Sequence, residues 1–329
     1  MARVVRFHKA GGPEVLQIEE EQLPKPKAGE VHFAVTAIGL NRAEAAFRSD
    51  NYMESPRLPA RPGVEASGRV LAIGEGVTGL SVGDDISIVP GFSQNDYGLY
   101  GSEAIVPAAN VIKSPPGLDP VKAAAVWSAY LTAWGAIIGV GNAQKGDYVI
   151  IPAASSSVGI AAIQICNSIG AIPIAATRGK DKVAALHKLG AEHVIVTKEQ
   201  DLPAEVARIT GGKGARIAFD PVGGPYIETL GKAMGDEGTI FVYGGLSDQE
   251  TPFPRRFAMG KGLSIAGYTM RQVKARPDRF ERAVKFVIDG LKSGALDPVI
   301  DKVFTLDQIV EAHRYLESNQ QIGKIVVKV

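Results

Sequence analysis

Between Asp147 and Ala171 the chain reads DYVIIPAASSSVGIAAIQICNSIGA: a short apolar run, a turn of small residues, then apolar residues at helical spacing. Tyr148 to Ile151 form the kind of run expected of a parallel strand covered on both faces, and Pro152 ends its ladder. Val158, Ala162, Ile165 and Ile169 then recur at the spacing that gives a helix one apolar face. The intervening turn, Ala153 to Gly159, has only small side chains. It lets backbone approach a ligand closely, and the unpaired amides of a helix start favour an anion there. A serine-rich turn before a helix is also how an ordinary capped helix begins, so the turn alone leaves both readings open.

The elements that follow favour the first reading. Ile172 to Ala176 predict a second strand, Lys180 to Leu189 a helix closed by Gly190, and His193 to Val196 a third strand. A helix over 201–210, ended by Gly211 and Gly212, precedes strands at 216–219 and 239–243. Strands and helices alternating across short glycine-marked connections imply an α/β, doubly wound parallel sheet, the dinucleotide-binding Rossmann arrangement. The three glycines of its fingerprint survive as Ala153, Ser156 and Gly159. Up to about residue 119 the pattern differs: RVVRF, GEVHFAVTAIGL, ASGRVLAIGEGV, VGDDISIV and GSEAIVPAANVI alternate over short spans between Gly and Pro turns, as in a curved β domain. That character returns after a helix at 277–290, in a strand at 299–304, a helix at 306–318 and a last strand at 324–329. The expected architecture is a β-rich domain from 1–123 plus 270–329, with a Rossmann domain, 124–269, inserted. A ligand cleft is expected at the carboxyl ends of the Rossmann strands, between the two.

With 329 residues and 45% apolar composition, the chain can bury two cores. Its 36 basic and 35 acidic side chains nearly cancel, and no cluster of Lys and Arg is interleaved with aromatics, so a dedicated nucleic-acid binder is not expected. The single cysteine, Cys166, excludes an internal disulfide and a Cys-built zinc site, and is expected to pack in the first Rossmann helix. MARVVRF opens on a strand with no signal-peptide core, and the nearly uncharged stretch 149–168 holds too many polar residues for a membrane span. A cytoplasmic protein with small-molecule partners is the expectation.

FHKAGGPEVLQIEE, IGLNRAEAAFRSDNY, PGVEASGRVLAIGEGV, VGDDI, LTAW, ITGGKGARIAFDPVGG and QIGKIVVKV, in that order and across nearly the whole chain, resemble signposts of the medium-chain dehydrogenase/reductase superfamily, specifically its zinc-independent quinone oxidoreductase (zeta-crystallin-like) branch. The resemblance implies a GroES-like catalytic domain around the Rossmann domain, and a homodimer through the sheet edge near 263–268. In metal-using branches the catalytic zinc is held at positions that look like Asn41, Val64 and Ser128 here; none is a good zinc ligand, and no metal is expected. Glu65, beside a turn, reads as a structural hydrogen-bonding residue.

The end of the second Rossmann strand bears on the cofactor. An NAD site usually has a carboxylate there, whereas this chain has Thr177 and Arg178, followed by Lys180 and Lys182. Arg178 suits a 2′-phosphate, with lysine adding charge, so NADP(H) is the expected cofactor; a merely solvated helix start is the alternative. Ser155, Ser156, Ser157 and Val158 are read as phosphate donors, there being no Gly-x-Ser-x-Gly elbow for a hydrolase. Gly223, Tyr243, Gly244 and Gly245 are read as lying along the cofactor at the strand ends. Asn41, Thr132, Gly323 and Lys324 are cofactor contacts that the resemblance implies.

Without a metal to polarise an alcohol, hydride delivery to a carbon that is already electrophilic, in a quinone or an α,β-unsaturated carbonyl, is the expected reaction. Water or a phenol would supply the proton, with Tyr52, Tyr97, Tyr100 and Tyr130 as candidates; the resemblance puts Tyr52 first, since it places the loop after the Asn41 segment beside the substrate region. Asn41 and Tyr52 are thus the candidate catalytic residues. An enoyl-thioester reductase or another alcohol dehydrogenase-like enzyme is one alternative, and a non-catalytic nucleotide-binding structural or RNA-associated protein another. The five histidines show no metal spacing. Phe253, Arg255, Arg256 and Phe257 fit a pocket wall, an acidic-tail site or a dimer interface equally well.

Overall fold

The computed structural model describes residues 1–329, which divide into two compact units: residues 1–128 with 298–329, and residues 129–297. In the first unit β1 (Ala2–Arg6) and β2 (Gln17–Glu21) pair antiparallel. The larger sheet is built on β3 (Glu30–Gly39), which pairs antiparallel with β4 (Ala66–Ile73); β4 continues to β5 (Asp85–Ile88). Pairing of β3 with β4 shifts register twice, between His32 and Phe33 and between Val35 and Ala37, and such bulges bend a sheet. The stretch expected as one strand around 103–113 is two. β6 (Glu103–Pro107) lies on β3, a turn of 3₁₀ helix follows, and β7 (Val111–Lys113) lies on β5. The pattern of apolar residues could not reveal that change of partner. Val31, Phe33, Val35, Ile38, Ile86, Ile88 and Val106 fill the core between.

The second unit holds six parallel strands: β8 (Tyr148–Ile151), β9 (Ile172–Thr177), β10 (His193–Val196), β11 (Ala215–Asp220), β12 (Met234–Val242) and β13 (Ser264–Gly267). Their order is β10-β9-β8-β11-β12-β13. The chain therefore winds one way from β8 and then back across it, which places the topological switch between β8 and β11. The expected doubly wound sheet is present, with β13 as an added edge strand. The expected helix at 180–189 is a 3₁₀ turn, Lys180–Lys182, followed by a helix, Val183–Lys188. The helix Ser157–Ile169 buries Gly159 to Ile163, Ile165 and Cys166, more than the one stripe expected, while Val158 and Ile169 are only half-buried. Ile160, Ile163 and Ile165 are at most 2% exposed, and burying each such side chain contributes about 1.5–3 kcal/mol.

The unit boundaries fall at 128/129 and 297/298 rather than at 123/124 and 269/270. The helix Pro277–Ser293 explains the second difference. Its Phe286 ring lies 6.5 Å from that of Trp134, and Arg282 sits 5.8 Å over the same indole, so it packs within the Rossmann unit. The chain then returns to the first unit as β14 (Ile300–Thr305), parallel to β15 (Lys324–Lys328), which pairs antiparallel with β3. No helix is long and apolar enough to cross a membrane.

Candidate functional site

In the Rossmann unit the turn after β8 is held by its own backbone. Ala154 N–H donates to Ala176 O and Ser156 N–H to Ala153 O, at 3.2 and 2.9 Å. Ser156 Oγ accepts from Gly159 N–H at 3.0 Å and caps the helix. The cap leaves the amides of Ser157 and Val158, in the first turn, without intrahelical acceptors. Gly159 is needed for close approach: a Cβ there would lie 2.7 Å from Ala154 Cα and O. At the first fingerprint position Ala153 adopts φ 47°, a left-handed conformation that costs a non-glycine residue about 1–2 kcal/mol. The capped-start reading is observed, and the same geometry leaves amides of the kind that suit an anion.

At the tip of β9, Thr177 is buried, and its carbonyl accepts from Thr197 N–H at 2.8 Å. Arg178 is exposed beyond it. Lys182 Nζ reaches Ser155 Oγ at 3.1 Å, joining the basic segment to the phosphate turn. Lys180 points elsewhere, to Glu199 at 2.9 Å. At the end of β11, the buried Asp220 carboxylate accepts from Val222 and Gly223 N–H at 2.8 and 3.1 Å. Burial raises its pKa and the two amides oppose the shift. Asp220 was not foreseen, although a strand ending in Asp-Pro-Val-Gly-Gly carries the signal of a side-chain-capped turn. The side chain nearest to Gly224 is Ser247 of the same chain, and Thr251 Oγ1 accepts from Gly224 N–H at 2.8 Å. Tyr243 follows β12 and stacks on Phe219, ring centroids 4.0 Å apart; its hydroxyl is buried without a hydrogen-bond partner. Gly244 and Gly245 beside it are exposed. Thr132 is half-buried on the helix Trp127–Trp134.

In the β unit Lys324 starts β15 after Gly323, whose φ of 110° and contact with Val299 O exclude a side chain. Lys324 Nζ donates to Glu65 Oε2 at 2.6 Å and to Asn41 Oδ1 at 2.7 Å, and it is 2% exposed. Glu65 Oε1 accepts from Ser128 N–H at 2.9 Å, which bears out its structural reading. Asn41 Nδ2 donates to Gly39 O at 3.0 Å and faces Glu44 Oε1 and Glu65 Oε2 at 3.3 and 3.4 Å. An ammonium can only donate, so the amide oxygen must face Lys324 and the amide nitrogen the carboxylates. Glu44, overlooked in the sequence, closes the network by accepting from Asn41 N–H at 2.7 Å and Val64 N–H at 3.2 Å. Its signal was the N-x-x-E spacing of a capping box at residues 41–44. Burial raises its pKa to about 7 against the attraction of Lys324.

The tyrosines separate. Tyr100 and Tyr130 are buried and bonded to His313 Nε2 and Gln164 Oε1, and burial raises both phenols, so neither is placed to supply a proton to a ligand. Tyr97 donates to Glu30 at 3.0 Å. Tyr52 is half-buried against the β-unit core. His313 is fully buried against Arg48.

A six-strand parallel sheet with a capped small-residue turn at its switch point, accompanied by a bulged GroES-like β unit, defines a two-unit nucleotide-dependent dehydrogenase fold. Residues 27–116 match the family model of the alcohol dehydrogenase GroES-like domain, and residues 157–289 that of the zinc-binding dehydrogenases. A 2-haloacrylate reductase of Burkholderia sp. is 29% identical, over 99% of this chain and 98% of its own. The Escherichia coli quinone oxidoreductase complexed with NADPH is 26% identical, covers 100% of both chains and superposes with a TM-score of 0.92. A solved NAD-dependent alcohol dehydrogenase is 32% identical over 99% of both chains, with a TM-score of 0.89. The chain belongs to the medium-chain dehydrogenase/reductase superfamily, in its quinone oxidoreductase-like branch.

The zinc of the family description does not fit this chain. Asn41 is engaged by Lys324, the Val64 amide donates to Glu44 and the Ser128 amide to Glu65, and neither a valine side chain nor an amide nitrogen of this kind is a zinc ligand. No group of three or more His, Cys, Asp or Glu side chains is arranged to hold a metal ion.

Proposed function

We propose that this protein is an NADPH-dependent reductase that adds hydride to a quinone or an α,β-unsaturated carbonyl without a metal. The observation that carries the reading is the tip of β9, where Arg178 stands exposed and Lys182 touches the phosphate turn through Ser155, with no carboxylate at Thr177 or Arg178 to repel a 2′-phosphate. The quinone oxidoreductase and 2-haloacrylate reductase relatives support the reaction class, since both names denote reduction of a conjugated, electron-poor carbon.

Bound NADPH supplies the hydride. The chain's part is to hold and orient. Amides of Ser157 and Val158, with Ser155 and Ser156 beside them, meet the pyrophosphate; Arg178 and Lys182 meet the 2′-phosphate. The Tyr243 hydroxyl has a hydrogen bond to offer, and the bare backbone of Gly244 and Gly245 admits a flat ring beside it. Asn41, Thr132, Gly223, Gly323 and Lys324 enter as cofactor contacts through the resemblance. Tyr52 is the remaining phenol proposed to protonate the carbanion left by hydride addition. The protein is further proposed to be a cytoplasmic homodimer through the edge strand β13.

Titrating the chain with NADPH and NADH, then adding quinones, enones, enoyl thioesters and alcohols in turn, tests the reading. NADPH-selective binding with turnover of quinones or enones supports it. Turnover confined to enoyl thioesters or to NAD with alcohols moves the assignment to those reactions, and failure to bind either nucleotide removes it.

A further inference from the structure

The β unit buries two carboxylates, Glu44 and Glu65, both 0% exposed, within one cage. Buried carboxylates need a cation or protons, because an unpaired charge in the interior costs several kcal/mol. The cage provides a cation from its own chain. Lys324 comes from β15, and its ammonium lies 2.6 Å from Glu65 Oε2 and 2.7 Å from Asn41 Oδ1, with the side chain 1% exposed. Its two partners come from two other places, Asn41 at the start of the helix Arg42–Arg48 and Glu65 just before β4; Glu44 accepts from Asn41, and the Ser128 amide fixes the far oxygen of Glu65. Two oxygens from separate elements, Glu65 Oε2 and Asn41 Oδ1, converge on one positive charge, with the other oxygen of Glu65 fixed by a backbone amide and the Glu44 carboxylate beside Asn41; oxygen-lined cages of this kind are what hard metal ions also select.

The three positions that resemble the zinc ligands of metal-using relatives, Asn41, Val64 and Ser128, all touch this cage, the first by its side chain and the other two by their amides. Family description and local chemistry therefore disagree in a specific way. We propose that Lys324 is the resident cation of this cage, a tethered ammonium standing in for a metal ion, so that the chain excludes divalent metal for as long as Lys324 is in place. One ammonium, bonded to Glu65, serves a cage that buries two carboxylates. The assignment concerns only the β unit and does not depend on the nucleotide or substrate.

The test is metal uptake by the full chain, with Mn²⁺ as the probe because its free aquo ion is counted directly by electron paramagnetic resonance. The wild-type chain is expected to leave Mn²⁺ free. Lys324→Ala is expected to bind one Mn²⁺ about tenfold or more tightly than wild type, with a rise in its melting temperature on adding the metal. Lys324→Ala combined with Glu65→Gln should lose that binding. If Lys324→Ala aggregates, refolding with Mn²⁺ in the buffer should recover it. Equal uptake by wild type, no uptake or recovery of Lys324→Ala, or unchanged uptake by the double variant would each overturn the proposal.

Discussion

His313 makes a sharp prediction about acid stability. Its ring is fully buried, and Nδ1 lies 2.7 Å from Arg48 Nη1, which can only donate. Nδ1 must therefore accept, the proton sits on Nε2, and the Tyr100 hydroxyl 3.1 Å away accepts it. Burial first, and the Arg48 charge second, lower the pKa from 6.5 to about 3. The folded protein thus refuses a proton that the unfolded chain takes up, and the stability held above pH 6.5 drains away as the pH falls toward 3. At about 1.4 kcal/mol per pH unit, the 1.5 units between 6.5 and 5 remove about 2 kcal/mol. His313→Gln retains a carbonyl acceptor for Arg48 and an N–H donor for Tyr100 but cannot titrate. In urea denaturation at pH 7 and pH 5, wild type minus variant isolates the histidine, because the other groups appear on both sides. Wild type should lose about 2 kcal/mol relative to His313→Gln on going to pH 5. A difference that stays constant, or moves in favour of wild type, would refute the neutral buried histidine.

Other consequences are read as directly. Glu44, with its pKa raised from 4.5 to about 7, has the opposite sign: its stability is present below pH 4.5 and lost as the pH rises toward 7, so Glu44→Gln should gain up to about 3 kcal/mol on wild type between those pH values, checked by the same denaturation series. Arg178→Ala should weaken NADPH binding by about 10–150-fold, a charged hydrogen bond being worth about 1.5–3 kcal/mol, and leave NADH unchanged; equal loss for both nucleotides in fluorescence titrations would point to a folding defect. Ala153→Gly should raise stability by about 0.5–1 kcal/mol, the relief of the left-handed conformation at φ 47° outweighing the added chain entropy, and a lower melting temperature would count against strain in the turn. Tyr243→Phe removes a buried, unpartnered hydroxyl and should stabilise the nucleotide-free chain by about 1 kcal/mol while weakening nucleotide binding; calorimetry measures both.

The phosphate-turn region proposed for the nucleotide was legible as structure because its parts are neighbours in sequence. Strand, small-residue turn and helix follow one another within Asp147 to Ala171, and Thr177 and Arg178 end the next strand, so local pattern alone placed these elements. What the sequence concealed is non-local. The Rossmann unit keeps the helix Pro277–Ser293 because Phe286 and Arg282 meet Trp134, a contact spanning about 150 residues that no period or breaker announces. Likewise β6 and β7, one apolar pattern in sequence, part to opposite sides of the β3–β4 pair.

The β-unit cage carries this argument furthest. Lys324 is separated from Asn41 by 283 residues and from Glu65 by 259, and each taken alone reads as an ordinary polar residue beside a turn. Only the antiparallel pairing of β15 with β3, and of β3 with β4, brings strand ends from three parts of the chain to one place. The buried pair of Arg48 and His313, 265 residues apart, arises in the same way, where the helix Arg42–Arg48 meets the helix Ile309–Ser318. Polar residues buried this deeply are tolerated only when every charge finds a partner, and the partners must come from distant segments because adjacent ones are already used by the sheet. The terminal segment is thus more than a closing strand: it delivers the cation that the N-terminal half of the β unit buries but does not supply.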